Sequence, residues 1–305
     1  LETWKRTVYI SLVCVFCTAF GVSQLAPILP LYFHDLGVQT PEAMSLWSGL
    51  ATGATYIIVC LAAPFWGRVA DKKGRKITLI RSSFGMALCN VLIAFQTTPE
   101  GVVLIRLVQG LVSGFYSASI TLIASESPIE RTGWALGLLA SANLAGSLIG
   151  PLLGGYIADT VGIRNDFIIV GALMGLAGVL ATIFIHENYV PQPNPEKLSI
   201  RKLKEQIPEF NSIVALCVAS FIYAICIMSL QPVISVYIKG IVPSDTENLA
   251  FIAGAVFSAM GIAQLMSSSP LGKLVDKIGP RKVLVVSLIY VGILNIPQAY
   301  VSDVY

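Results

Sequence analysis

Arg106 and Gln109 are the residues of this sequence whose types and spacing best fit chemistry inside an apolar segment. They lie three positions apart, so a helix would place both side chains on one face. A charge in such a segment is costly and usually faces a cavity or a partner. Because arginine stays protonated, Arg106 can supply a counter-charge to a carboxylate but cannot itself carry a proton. We therefore predict coupling roles for both residues; the alternative is that Arg106 extends its side chain to the end of the segment.

Asp71 lies among basic residues in the segment 67–76, which joins two long apolar stretches. A close variant containing Asp276 returns at 272–282, again between two apolar stretches. The repeat predicts two related halves, an arrangement common in secondary transporters. Two interpretations of this pattern are open, a conformational switch or a pair of basic loops that only set topology. The candidate switch residues of the two copies are Gly67, Asp71, Gly74, Arg75, Gly272 and Asp276.

Glycines recur at every fourth position within the segment 146–155. Gly146, Gly150 and Gly154 would share one helical face, forming a groove in which a neighbouring helix packs closely. Pro151 removes an intrahelical hydrogen bond and predicts a bend, and Gly155 extends the run of small residues. Two interpretations of these residues are open, a role in gating and simple helix packing, and both can hold together.

Long apolar segments carry all of these residues. The chain is 55% hydrophobic and 12% charged, whereas soluble domains have about 25% charged residues. Nine segments approach the roughly 20 residues that a membrane-spanning helix needs, and lipid excludes open strands. We therefore predict an all-α, polytopic membrane protein. The segments are 8–32, 46–66, 77–96, 101–124, 133–158, 165–186, 212–237, 248–270 and 282–302.

The distribution of basic residues predicts the orientation. If the amino terminus is cytoplasmic, every Lys and Arg except Arg106, Arg164 and Lys239 lies in an inner loop. Cytoplasmic loops of membrane proteins are enriched in these residues. We therefore predict a multi-pass protein of the cell (plasma) membrane with a cytoplasmic amino terminus. The net charge of +3 then reflects topology and does not indicate nucleic-acid binding.

These patterns together resemble the major facilitator superfamily, in particular its twelve-helix drug:proton antiporters of the bacterial multidrug efflux type. Segments 67–76 and 272–282 resemble the loops between helices two and three and between helices eight and nine of that family. The R-x-x-Q-G sequence beginning at Arg106 resembles a family pattern, and G-x-x-x-G-P-x-x-G-G at 146–155 resembles the antiporter signature. The resemblance covers almost the whole chain.

The resemblance implies a two-half helical bundle whose last three helices are absent from this chain. The amino-terminal half of six helices would occupy 1–187, a cytoplasmic central loop 188–211, and a partial carboxy-terminal half of three helices 212–305. Within the loop, apolar residues share one face of the basic segment 197–207, which predicts a short helix on the membrane surface. An ordinary tethering linker is the alternative.

The resemblance also implies a gate and a transported substrate. Asp71 would face the amino terminus of the family's eleventh helix, and Glu126 would pair with Arg75. The chain would be a secondary active transporter that exports small lipophilic compounds or drugs in exchange for protons by alternating access. The alternatives are an exporter of a sugar or other metabolite, or a truncated relic without transport. Candidate substrate contacts between the halves are Gln24, Tyr56, Tyr116, Asn143, Phe221, Tyr223, Gln231 and Phe257.

Catalytic chemistry is not predicted. The sequence contains no recognisable nucleophile–base pair, metal-ligand cluster or phosphate-binding glycine loop, so we expect no enzyme activity, metal or cofactor. The proton gradient would be the energy source. Because no Asp or Glu lies deep in a segment, we expect the proton carrier at a segment edge or in the absent helices. The expected partners are a small-molecule substrate and the lipid bilayer, without nucleic acid, and the protein is expected to be monomeric.

Overall fold

A computed structural model describes residues 2–187, 210–241 and 248–298. These residues form helices and no strand, which confirms the all-α prediction. The predicted surface helix at 197–207, together with residues 188–209 of the central loop, lies outside the described residues. The helices are α1 (Thr3–Ser23), α2 (Leu25–Asp35), α3 (Pro41–Lys73), α4 (Arg75–Ala94), α5 (Pro99–Val112), α6 (Phe115–Glu126), α7 (Ile129–Val161), α8 (Ile163–Phe184), α9 (Phe210–Ile241), α10 (Leu249–Ile278) and α11 (Pro280–Gln298).

Seven helical stretches of the described residues are long and apolar enough to cross a membrane. They are α1, α3, α4, the pair α5–α6, α7, α8 and the part Leu249–Ser267 of α10. The predicted segments 212–237 and 282–302 coincide with α9 and, as far as residue 298, with α11. All nine predicted segments therefore fall on helices, and the protein is a polytopic helical bundle.

The bundle has two ends, named by their turns. The Gly74 end contains the start of α1 and the α3–α4 turn, while the Gly162 end contains the end of α2 and the α7–α8 turn. One cluster of buried side chains joins α1, α4, α6, α7 and α8. A second cluster lies toward the Gly162 end and includes residues of α2, α8 and α10. These two apolar clusters hold the helices of the bundle together.

The predicted segment 101–124 is two helices, α5 and α6, rather than one. Ser113 is extended and Gly114 has a φ of +113°, a conformation that glycine adopts readily. The carbonyl of Leu111 accepts hydrogen bonds from Trp66 Nε1 at 2.8 Å and Arg81 Nη1 at 3.0 Å. Arg81 Nη2 also donates to the Ser113 carbonyl at 3.0 Å. These side chains satisfy carbonyls that the helix break exposes, as an apolar environment requires.

The segment 67–76 is not an extended loop. Its first seven residues continue α3, and Gly74 alone separates α3 from α4, with a φ of +92°. Lys72 and Lys73 lie in the last turn of α3, where positive charges favour the helix dipole. The α3 helix therefore continues beyond the predicted apolar segment 46–66, because basic residues stabilise its end.

Candidate functional site

Arg106 lies on α5 with only 6% of its surface exposed. Its Nη1 donates to Oε1 of Gln109 at 2.7 Å, while its Nε has no hydrogen-bond partner in the part of the chain that the structure describes. Thr55 on α3 donates through Oγ1 to the Arg106 carbonyl at 3.0 Å. The guanidinium is therefore held inside the bundle by Gln109 and does not extend to a surface. The coupling roles of Arg106 and Gln109 stay predictions.

Sequence reasoning missed a second buried polar pair, Gln24 and Asp166. Both side chains are fully buried, and Gln24 Nε2 donates to Asp166 Oδ2 at 2.9 Å. The other oxygens, Asp166 Oδ1 and Gln24 Oε1, have no hydrogen-bond partner among the described residues. The structure also gives Gln24, a candidate substrate contact, a protein partner instead of an open surface. An acid inside a predicted segment was the available signal, but its position near the start of 165–186 made it look superficial.

Gln24 lies at the junction of α1 and α2. Pro27 lacks an amide hydrogen, so the backbone cannot form the helical bond that this position would otherwise make. The junction brings the Gln24 side chain against Gly154 on α7, where a Cβ would lie 2.7 Å from Gln24 Cβ. Helix discontinuity and a small residue together make room for the buried amide.

The predicted glycine groove of α7 receives α1. A Cβ on Gly146 would lie 2.6 Å from the Phe16 carbonyl oxygen, and one on Gly150 would lie 2.5 Å from the Phe20 carbonyl oxygen. Ser23 Oγ also donates to the Gly146 carbonyl at 3.4 Å. The backbones of α1 and α7 are therefore in direct contact, as small-residue interfaces permit.

A second face of α7 contacts α10. A Cβ on Gly155 would overlap the Ala250 carbonyl, and one on Gly254 would overlap the Pro151 carbonyl. Farther along, Ser258 Oγ donates to the Leu148 carbonyl at 2.6 Å. The 146–155 segment therefore packs against α1 on one face and against α10 on another.

Asp159 completes the α7–α10 contact at the Gly162 end. Its Oδ1 accepts from the Ala250 amide at 3.2 Å, and its Oδ2 accepts from the Phe251 amide at 2.7 Å. The first amides of a helix lack intrahelical acceptors and carry partial positive charge. A carboxylate on α7 therefore caps α10, a contact that sequence reasoning did not identify.

Glu187 performs a similar role at the Gly74 end. Its carboxylate accepts from the Arg75 amide at 2.7 Å and the Lys76 amide at 2.8 Å, the first two residues of α4. A Cβ on Gly74 would lie 2.6 Å from Glu187 Oε2. Gly74 is therefore required both by its positive φ and by the close approach of this carboxylate.

The other predicted switch residues of the two basic segments and of α6 lie at the following positions. Gly67 and Asp71 are exposed on α3, and Glu126 is half-buried at the end of α6. The predicted contact of Asp71 with the family's eleventh helix and the Arg75–Glu126 pair stay predictions. Gly272 and Asp276 lie on α10, and their surroundings are not part of what the structure describes.

We expect Glu187→Gln to destabilise the protein by about 1 kcal/mol, because a neutral amide caps α4 less favourably than a carboxylate. Thermal unfolding in detergent would measure the loss. Glu42→Gln is the matched control, since Glu42 is exposed in the first turn of α3, which Thr40 caps through its side chain. Equal unfolding temperatures for the two variants would contradict the capping role of Glu187.

An apolar cleft lies between α3 and α9 and encloses about 1050 Å³. Tyr56 and Phe221, both candidate substrate contacts, line opposite walls, together with Cys60 and Met228. The cleft therefore brings two of the predicted residues together between the predicted halves.

Among the candidate substrate contacts whose side chains are described, Gln24, Tyr116, Asn143 and Phe257 do not line this cleft. Tyr116 packs beside the buried cluster that includes α1, and Asn143 and Phe257 are half-buried on α7 and α10. The side chains of Tyr223 and Gln231 lie outside the described residues. The substrate roles of all these residues stay predictions.

Relatives of known name cover almost the whole chain. It is 37% identical over 302 residues to the multidrug resistance protein MdtG of Proteus mirabilis, covering 99% of this chain and 75% of that protein. It is 39% identical over 300 residues to MdtG of Dickeya zeae, covering 98% of this chain and 73% of that protein. The chain therefore spans about three quarters of the length of these relatives.

Solved structures share the fold at low sequence identity. The human organic anion transporter MFSD10 has a TM-score of 0.62 at 16% identity, over 86% of this chain and 71% of that one. A D-xylose–proton symporter has a TM-score of 0.62 at 16% identity, over 90% and 68%. At this identity the comparison concerns the fold alone. Residues 11–304 match the Major Facilitator Superfamily, and the chain belongs to that family of membrane transporters.

Proposed function

We propose that this protein exports small lipophilic compounds, drugs among them, in exchange for protons. The observation that carries the substrate class is the apolar cleft between α3 and α9, which Tyr56 and Phe221 line. Apolar walls with few polar groups suit lipophilic ligands of varied shape. Similarity to proteins named for multidrug resistance supports the same class.

The α7–α10 contact supports alternating access. Close contacts run from Asp159 and Ala250 at the Gly162 end to Leu148 and Gly261 near the middle of both helices. Toward the Gly74 end, Trp134 on α7 is 45% exposed and Met266 on α10 is 72% exposed. With the proposed cytoplasmic amino terminus, the Gly74 end faces the cytoplasm, and the two helices are joined on the opposite side.

Transport by the intact protein in proteoliposomes tests this function. A fluorescent lipophilic drug should move against its gradient when a proton gradient is imposed, and it should stop moving when an ionophore dissipates that gradient. Labelled sugars serve as the second substrate class. Drug movement without dependence on the proton gradient would overturn the antiport mechanism, and movement of sugar alone would overturn the substrate class.

We expect Asp159→Ala to weaken closure at the Gly162 end, because the first amides of α10 lose their acceptor. Tyr156 and Phe251 contact each other across α7 and α10, with ring centroids 6.5 Å apart. Cysteines at these two positions, in a background without native cysteines, should form a cross-link whose yield falls when Asp159 is replaced. Thr160→Ala is the control, since Thr160 bonds only within α7 through its hydroxyl. An unchanged cross-link yield in Asp159→Ala would refute the idea that the Asp159 carboxylate holds α7 and α10 together at the Gly162 end.

A further inference from the structure

We propose that the Asp166 carboxylate, paired with Gln24, is a proton-binding site of this transporter. The inference rests on the proposed exchange for protons and assigns that proton to a residue of this chain. It would be taken up by one oxygen of Asp166 to give the neutral acid and released as the carboxylate reforms, with no other reactant.

The first support is burial without a counter-charge. Asp166 is fully buried, and its described hydrogen bond is to the neutral amide of Gln24. No ion pair of Asp166 occurs among the described residues. A buried carboxylate without a charged partner is costly, and binding a proton removes that cost. An ionisable residue placed in this way inside a membrane bundle is a functional candidate.

Each neighbouring element presents charged or titratable groups that are otherwise engaged. On α8 itself, Arg164 is exposed and donates to the Gln96 carbonyl at 3.4 Å. On α7, Asp159 is bound to the amides of α10. On α2, Tyr32 donates to the Ile93 carbonyl at 2.7 Å while its ring contacts Phe167.

Within the described ranges of the chain, the remaining neighbouring elements place no ion-pair partner beside Asp166. At the end of α2, the His34 and Asp35 side chains contact each other, with 3.8 Å between His34 Nδ1 and Asp35 Oδ1. On α4, the stretch 83–94 contains Cys89 as its titratable side chain, and α1 presents Gln24 at its end. Among the described residues, Asp166 is therefore stabilised by the Gln24 amide and, while ionised, by the dipole of α8, and binding a proton would remove the remaining cost of burying its charge.

The hydrogen-bond inventory of the pair also has room for a proton. Gln24 and Asp166 share one described donor, Nε2 of Gln24, whereas Asp166 Oδ1 and Gln24 Oε1 are buried acceptors without a donor. An ionised carboxylate only accepts hydrogen bonds, but its neutral form has a hydroxyl that donates. Binding one proton therefore removes the negative charge of Asp166 and adds a second hydrogen-bond donor to a pair that has more acceptors than donors.

The Gln24–Asp166 pair lies close to the α7–α10 contact, which the proposed alternating access would open and close. The Gln24 side chain lies against Gly154 of α7. The next residue, Gly155, lies against Ala250 of α10, and Asp159 one turn later caps the same helix. A change in the charge of Asp166 would therefore act next to the part of α7 that contacts α10.

A structural role is the competing explanation. Asp166 lies in the first turn of α8, where a permanently ionised carboxylate would favour the helix dipole. That role predicts the same charge in every conformation and no dependence on drug binding. Asp166→Asn keeps the shape and the acceptor oxygen but cannot gain or lose a proton, so it separates the two roles.

The experiment compares Asp166→Asn with Asp35→Asn, an exposed acid of α2, in the intact protein. We expect Asp166→Asn to lose drug export driven by a proton gradient while keeping drug–drug exchange without a gradient. In weakly buffered detergent solution, a fluorescent lipophilic drug should release protons from the wild type and from Asp35→Asn, but not from Asp166→Asn. Gradient-driven export or proton release at the wild-type level in Asp166→Asn would overturn the assignment.

A measurement on the wild type keeps the test valid if Asp166→Asn fails to fold. A hydrophobic carbodiimide adds to a protonated carboxyl group, and mass spectrometry locates the adduct. We expect modification of Asp166 in acidic solution that decreases as pH rises and when the drug is added. No modification at any pH would overturn the proposal. Wild-type export without a need for the proton gradient would instead overturn the proposed function.

Discussion

Arg106→Ala should abolish export that is driven by a proton gradient. The guanidinium is buried and bonded to Gln109, with its Nε still without a partner. A buried cation whose donors are not all engaged is suited to hold an anionic or polar group during the transport cycle. Its removal leaves Gln109 without its charged neighbour and the interior of the bundle without that cation.

Arg106→Lys should lose most of the same activity although it keeps the charge. Arginine presents a planar set of donors, and lysine offers a single flexible ammonium group that cannot reproduce its geometry. Neither substitution removes the contact between α3 and α5 formed by the Thr55 hydroxyl and the carbonyl of residue 106. We therefore expect both variants to fold, with the loss confined largely to transport.

Accumulation of a fluorescent drug in energised everted vesicles, at matched expression of the intact protein, measures the effect. Arg164→Ala is the control, because Arg164 is an exposed arginine at the Gly162 end. Thermal unfolding in detergent separates lost transport from lost folding. If Arg106→Ala exported the drug at the wild-type rate, the buried cation would have no part in coupling.

The helices of this protein were largely predictable because lipid imposes a simple rule on the sequence. Apolar runs of sufficient length must form helices, and the described part of each predicted segment is largely helical, although 8–32 and 101–124 each contain two helices. The glycine period at Gly146, Gly150 and Gly154 identified a face of α7 that a neighbouring helix approaches closely. Both features are local, so the residues that signal them are neighbours in the sequence or on one helical face.

The missed features depend on side chains that meet across the fold. The break at Ser113 and Gly114 is stabilised by Arg81 and Trp66, which belong to two other helices. Apolar composition continues through this break, so hydropathy alone predicts one helix. Glycine is common in membrane helices and does not by itself indicate a break.

Carboxylate positions were hidden for the same reason. Glu187 lies beyond α8 but caps α4, and Asp159 lies on α7 but caps α10. Asp166 is near a helix start in sequence, yet α1 and α8 enclose it with Gln24. Distance from a segment end therefore measures the burial of a side chain poorly when the neighbouring helices extend past that end.

Gly150→Leu should force α1 and α7 apart and disrupt the protein. Even a Cβ would lie 2.5 Å from the Phe20 carbonyl oxygen and would overlap the Ser23 hydroxyl. Both obstacles belong to α1, and the first is backbone, so no rotation of a side chain removes it. The helices must separate, which breaks the hydrogen bond from Ser23 to the Gly146 carbonyl. Overpacking of this kind costs about 1–3 kcal/mol, and more where backbone must move.

Gly137→Leu provides a control on the same helix, because a Cβ there would meet nothing within 4 Å. We expect Gly150→Leu to lower the unfolding temperature in detergent and to eliminate export, whereas Gly137→Leu should leave both near the wild type. Gly150→Ala should give an intermediate loss, since the first added carbon already meets the α1 backbone. Equal behaviour of the two leucine variants would mean that α1 and α7 do not pack through their backbones, and the glycine spacing would then have no structural consequence at this contact. A stable Gly150→Leu protein that fails only in transport would instead place the effect in the movement of α1 against α7, since packing in the resting state would have tolerated the added side chain.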